Sequence, residues 1–243
     1  RKCYLYNSTL AGFLRPAMEQ LKDLNINRKL NVMEYTQDYY EGESSNYSLF
    51  GGYDGFLLKL TRFFVHRKAW SIIRKYKTQG KLLDIGCAYG FWTKFSRKKG
   101  FSSMGCDISD FAISQARKRF PDLEFFQMDI QKKLGFPGNE FDVVTAFDVL
   151  EHCKNLDGAL QEVKRVLKPD GFFLASIPDT DFFPPENDKD PTHVWHMNFP
   201  EWKKVFHRNN FRVEETHVFP WVFKKTRLYK LYWCIRFVLL RPK

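Results

Sequence analysis

Lys81-Leu82-Leu83-Asp84-Ile85-Gly86-Cys87-Ala88-Tyr89-Gly90 is the stretch that decides the fold. Its first five residues read as a short buried parallel strand. From Phe91 onward the spacing is helical, with Phe91, Trp92 and Phe95 at positions that can share a face. The turn between them is therefore a strand-to-helix loop. Gly86 and Gly90 allow a ligand to approach backbone where a Cβ would collide, and the helix start offers free N–H groups and a positive dipole end. Asp84 sits where it would accept from a ligand ammonium, so the turn predicts a nucleotide-type cofactor site.

The next strands sharpen this expectation. Phe101 to Cys106 is a second apolar strand ending at Asp107, followed by Ile108-Ser109-Asp110 and a helical run from Phe111 to Phe120. An acid at that strand end can take both ribose hydroxyls. A third strand, Leu123 to Met128, delivers Asp129-Ile130, and a fourth, Phe141 to Ala146, delivers Phe147-Asp148. Any one of these acids could simply cap a helix or open a turn. Three at successive strand ends point to a ligand. A nicotinamide-dependent dehydrogenase is disfavoured, because its fingerprint needs a glycine at the sixth place of the turn, where this chain has Phe91.

With the later blocks included, the chain resembles the class I S-adenosylmethionine-dependent methyltransferases of the type-11 group, which includes ubiquinone- and menaquinone-pathway enzymes. The similarity covers residues 81–180. It rests on the glycine turn, on Leu134-Gly135-Phe136-Pro137-Gly138-Asn139-Glu140-Phe141-Asp142-Val143-Val144, on Val149-Leu150-Glu151-His152 and on Val166-Leu167-Lys168-Pro169-Asp170-Gly171, in that order. The resemblance implies S-adenosyl-L-methionine as cofactor. Asp84, Gly86 and Gly90 would border its methionyl part, Asp107 would bind the ribose, Ile108 would pack on the adenine, Asp129 with Ile130 would read the adenine amino edge, and Cys87 and Phe147 would be further cofactor-binding positions. It also implies an α/β, Rossmann-like fold: a seven-stranded, mostly parallel sheet with helices on both faces, an N-terminal helical lid over residues 1–80 and the cofactor-binding domain over 81–243. The family usually has glycine at the position of Ala88, so either the turn is αR/β there or alanine holds a positive φ at a cost of about 1 kcal/mol.

The net charge of +11 is uneven. Residues 1–80 hold 13 basic and 7 acidic side chains, 81–180 hold 14 of each, and 181–243 hold 12 and 7. A neutral core with basic flanks points to an anionic substrate, a membrane surface or nucleic acid. Five cysteines lack metal-ligand spacing, and Cys87 and Cys106 read as small core residues, which fits a reducing cytoplasm. No signal-peptide pattern is read at Arg1, so a cytoplasmic protein, peripheral at the membrane, is expected.

Substrate choice is expected from the flanks. Helices are predicted over Leu10 to Leu24 and Phe56 to Tyr76, around an aromatic loop carrying Tyr35, Tyr39, Tyr40, Tyr47 and Tyr53. Those rings would either close over the cofactor or pack the flank onto the core. Arg62 or Arg67 would pair with the cofactor carboxylate, or lie on a solvated face. His193 and His196 are candidate general bases; the alternative is that they fix their loop. Asp148, Glu151 and His152 match an acid, acid, histidine set that ubiquinone-pathway O-methyltransferases associate with a divalent cation. Otherwise they form a loop-fixing pair. The tail from Val218 to Lys243 has seven basic residues and no acid, with Leu228, Leu231, Tyr232, Ile235, Val238 and Leu239 at helical spacing. It reads as a basic amphipathic helix for an anionic membrane surface, or as the closing strand over Phe237 to Leu240. The expected reaction is methylation of oxygen, carbon or nitrogen on a small-molecule or lipidic acceptor. The alternatives are a tRNA or RNA methyltransferase, although no RNA-binding module is recognised, and a catalytically silent cofactor-binding partner protein.

Overall fold

The computed structural model describes residues 35–42, 45, 52–182, 184–188, 190–219 and 235–243. The expected helix Leu10 to Leu24, Tyr47, and the tail residues Leu228, Leu231 and Tyr232 lie outside the described residues. In chain order the elements are α1 (Gln37–Glu41), α2 (Phe56–Ile73), β1 (Gly80–Ile85), α3 (Phe91–Lys98), β2 (Phe101–Asp107), α4 (Asp110–Arg119), β3 (Glu124–Gln127), β4 (Phe141–Phe147), α5 (Leu156–Val166), β5 (Leu167–Pro178), α6 (Phe199–Arg208), β6 (Phe211–Phe219) and β7 (Ile235–Pro242). Short 3₁₀ turns cover Leu150–His152 and Pro185–Asn187.

The strands form one seven-stranded sheet in the order β3-β2-β1-β4-β5-β7-β6. All pairings from β3 to β5 are parallel, and β7 runs antiparallel to both β5 and β6. The chain order reverses between β1 and β4, and the crevice at the carboxyl ends there is where an open α/β sheet takes its ligand. The central strands read as unbroken apolar runs because both faces are covered. Ala69, Ile72 and Ile73 of α2 and Trp92 of α3 pack with Leu82, Val143, Phe172 and Phe237 in one core cluster. Leu160 and Val163 of α5 and Trp202 and Phe206 of α6 pack with Leu83, Val144, Phe173 and Val238 in another. At the start of α6, the side chain of Asn198 accepts from the Glu201 N–H at 3.0 Å and the Asn198 N–H donates back to the Glu201 carboxylate at 2.9 Å.

The tail departs from its helical reading. Ile235, Phe237, Val238, Leu239 and Leu240 are buried in β7, which is paired on both edges and covered on both faces. A strand in that setting is apolar at consecutive positions, and such a run also satisfies a helical stripe, which is why periodicity alone misplaced Ile235, Val238 and Leu239.

Candidate active site

Four strand ends converge on one cavity of about 230 Å³, and Asp84, Gly86, Cys87, Asp107, Ile108, Asp129, Ile130, Phe147 and Asp148 all line it. Parallel pairing is what brings them together. Asp84 lies beside Gly105 of β2 and Thr145 of β4, one position short of the end of β1. Its carboxylate is buried and accepts from Thr93 Oγ1 at 2.6 Å and Thr145 Oγ1 at 3.3 Å. Burial nevertheless pushes its pKa up to about 7, and the nearby Asp107 adds to the effect. A cation placed against it would restore the charged form.

The turn is held in place by Asp107. Its Oδ2 accepts the Ala88 N–H and its Oδ1 the Ser109 N–H, both at 2.9 Å, while burial raises its pKa. Ala88 has φ +46°, so the left-handed conformation expected of a glycine is taken by alanine, whose methyl packs in the cluster of Tyr39, Tyr40, Tyr89 and Ala112. Gly86 has φ +69°, and a Cβ there would stand 2.2 Å from Val149 Cγ2. Gly90 is placed differently from the expectation: it does not line the cavity. Its φ is +77° and a Cβ would meet Phe125 Cζ at 2.5 Å, so its bareness serves the packing of α3 on the sheet. Ile108 is 43% exposed, an apolar surface left over for a flat ligand, and Asp129 Oδ1 accepts the Gln131 N–H at 2.9 Å, fixing the turn that carries Ile130.

Among the tyrosines of the N-terminal flank, Tyr35, Tyr39, Tyr40 and Tyr53 line the cavity. Arg62 also lines it, stacked 4.7 Å from the Tyr53 ring centre and 4.3 Å from that of Phe91, with Nη1 donating to the Tyr53 carbonyl. Its buried Nη2 has no hydrogen-bond partner and stands 3.7 Å from Asp54. A guanidinium N–H held only by this long ion pair suits a carboxylate ligand. Arg67 points elsewhere, over Phe63.

The two histidines expected as bases are not at the cavity. His193 Nδ1 bonds Asp188 Oδ2 at 2.5 Å and His196 Nε2 bonds the same oxygen at 3.2 Å, so both clasp one carboxylate of their own loop. Burial alone would lower the pKa of His193. The Asp188 hydrogen bond and the charges of Glu151 and Asp190 outweigh it and raise the value to about 9, so this ring holds its proton at neutral pH. The imidazole that lines the cavity beside Asp148 and Cys153 is His152. Its Nδ1 is 2.8 Å from Thr192 Oγ1, which in turn donates to Asp190 Oδ1 at 2.6 Å, and Asp190 Oδ2 accepts from Tyr39 at 2.9 Å. Burial, then the charge on His193, pushes His152 down to about 4 and keeps it neutral. The sequence offers His152 as a metal ligand or a loop fastener; the signal for more is its place in the short turn that follows the fourth strand. His66, also at the cavity, is wedged 5.3 Å from Trp92 and 5.5 Å from Phe95 by ring centres, and burial pushes it down to about 3.

The expected metal set is rearranged. Asp148 is drawn to Ser176, whose Oγ donates to Oδ1 at 2.7 Å and accepts the Asp148 N–H at 2.9 Å. In its place His193 joins Glu151 and His152, each with one donor atom within 4.8 Å of the others; Asp188, His193 and His196 form a second such group. Glu151 is fully buried, neither carboxylate oxygen has a hydrogen-bond partner, and burial followed by the charge of Asp148 raises its pKa to about 8. Cys87, Cys106 and Cys153 are buried free thiols, in keeping with the reading of Cys87 and Cys106 as core residues.

Residues 83–175 match the sequence profile of the family described as "Methyltransferase domain". The Bacillus subtilis methyltransferase YcgJ is 26% identical over 155 residues, 57% of this chain and 60% of that protein. The ubiquinone biosynthesis O-methyltransferase of Actinobacillus pleuropneumoniae is 28% identical over 121 residues, 46% of this chain and 50% of that enzyme. The chain thus spans about half the length of the curated relatives it matches. Among solved structures, the PH0226 protein of Pyrococcus horikoshii shares the fold with a TM-score of 0.62 at 21% identity, over 76% of this chain and 92% of that one.

Proposed function

We propose that the protein is a class I, type-11 methyltransferase that uses S-adenosyl-L-methionine, as the match of residues 83–175 supports, and that it methylates a hydroxyl group of a small-molecule or lipidic acceptor, with His152 as the base. The observation that carries the choice of oxygen is the neutral imidazole at the wall of the cofactor cavity, oriented through Nδ1 by Thr192 and behind it by Asp190 and Tyr39. His66 lacks that chain of support and is pinned between rings. The residues present fit the cofactor: Asp84 for an ammonium, Arg62 Nη2 for a carboxylate, Asp107 for a diol and Ile108 for a flat base. When bound, the cofactor supplies a methyl group on a positively charged sulfur. The chain's part is to hold an acceptor oxygen in line, to exclude water with Tyr35, Tyr39, Tyr40 and Tyr53, and to take the acceptor proton on His152.

The test is production of S-adenosylhomocysteine from a panel of phenols, quinone precursors, sugars, lipids and tRNA. On the acceptor that turns over, His152→Ala should lower the rate about 100-fold with cofactor affinity preserved. A near-wild-type rate would remove His152 from the mechanism, and turnover on tRNA alone would replace the acceptor class with RNA.

A further inference from the structure

The outward face of α2 is apolar where a surface helix is normally polar. Phe56 is 83% exposed, Phe63 53%, Phe64 49% and Leu60 44%, which makes four of the six large exposed hydrophobic side chains among the described residues. At 100° per residue these four fall within one 100° sector. Arg67 and, past the helix end, Arg74 continue the same sector, both exposed, and Lys59 and Lys68 flank it on either side. The sequence of α2 contains no acid. Burying this face in protein would strand those cations unless the partner were acidic. The headgroup layer of an anionic bilayer accepts the rings between the lipid tails and the cations among the phosphates together.

We propose that α2 is an interfacial helix that docks the protein on a bilayer containing anionic lipids, with Phe56, Leu60, Phe63 and Phe64 inserted and Lys59, Arg67 and Arg74 at the headgroups. No helix among the described residues is long and apolar enough to cross a membrane, so attachment through α2 is in the plane of the surface. The opposite side of the same helix, with Leu58, Arg62, Val65 and His66, walls the cofactor cavity. A helix is about 10 Å across, so docking brings that cavity to within roughly one helix diameter of the lipid. The docking surface goes beyond the methyl-transfer reading and does not depend on it.

The experiment is flotation of the full chain with vesicles of phosphatidylcholine containing about one third phosphatidylglycerol, against pure phosphatidylcholine, at low and high salt. Binding to the acidic vesicles that weakens with salt is expected, because the attraction is screened within about 10 Å at ordinary ionic strength. Phe63→Glu with Phe64→Glu should reduce it at least about tenfold, and Lys59→Glu with Arg67→Glu should do the same. Unchanged S-adenosylmethionine affinity and thermal unfolding would show that each variant is folded. The proposal is overturned if the wild type ignores acidic vesicles at low salt, or if folded variants float like the wild type. It is equally overturned if the wild type is a dimer that the phenylalanine variant dissociates with no effect on vesicle binding, since the face then belongs to a second copy.

Discussion

Asp107 Oδ2, at the end of β2, accepts the backbone N–H of Ala88 in the turn after β1 at 2.9 Å, so one carboxylate both shapes the glycine turn and faces the cavity. Its Oδ1 does the same for Ser109 at the start of α4. A carboxylate has more acceptor sites than these two N–H groups use, so it can also take ligand hydroxyls.

Asp107→Ala is therefore expected to fail twice. Losing two ligand hydrogen bonds to a charged acceptor should weaken S-adenosylmethionine binding by about 2 to 4 kcal/mol, roughly 30- to 700-fold. Two buried N–H groups also lose their partner, at about 1 to 3 kcal/mol each, so the melting temperature should fall in the absence of cofactor. Calorimetry and thermal unfolding read the two effects separately. An unchanged affinity would remove Asp107 from the cofactor site.

Asp84 gives a pH dependence. Its pKa near 7 in the free protein means that the carboxylate form, the one that attracts an ammonium, is populated only as pH rises through that value. Cofactor affinity should be full above about pH 7.5 and fall by up to about tenfold per unit below 7, with proton release on binding. Asp84→Asn should bind weakly and lose this dependence. A flat wild-type profile between about pH 5.5 and 8 would separate Asp84 from the ligand ammonium.

Most of the sheet was legible because parallel strands covered on both faces announce themselves as apolar runs that end in acids. β1 to β4 fall within two residues of where the sequence puts them. For Ala88 the sequence left two conformations open, and the structure takes the positive φ. What escaped was set by contacts distant in sequence. Phe125, 35 residues on, claims the space beside Gly90. Asp188 turns His193 into a buried cation, and Thr192 makes His152 the oriented imidazole. Histidine spacing carries none of that information, because a ring's role follows from its partners.

His193 and Glu151 make stability fall as pH rises, in windows that overlap. The folded pKa of His193, about 9, lies above its ordinary 6.5, so its contribution is complete below about 6.5 and lost as pH rises through 9. Glu151, raised from 4.5 to about 8, is bound as the neutral acid, and its burial turns costly from pH 4.5 upward. The two can be separated by substitution. Glu151→Gln should lessen the fall of the unfolding free energy between about pH 4.5 and 8, most plainly below 6.5 where His193 does not yet contribute. Asp188→Asn, which takes away the hydrogen-bonded charge on His193, should remove much of that later decline, on the order of 2 to 3 kcal/mol. Urea unfolding at a series of pH values measures both slopes. A wild-type stability that rises between pH 6.5 and 9 would mean that His193 is neutral in the folded protein, and His152 would then be held uncharged by burial without a neighbouring cation.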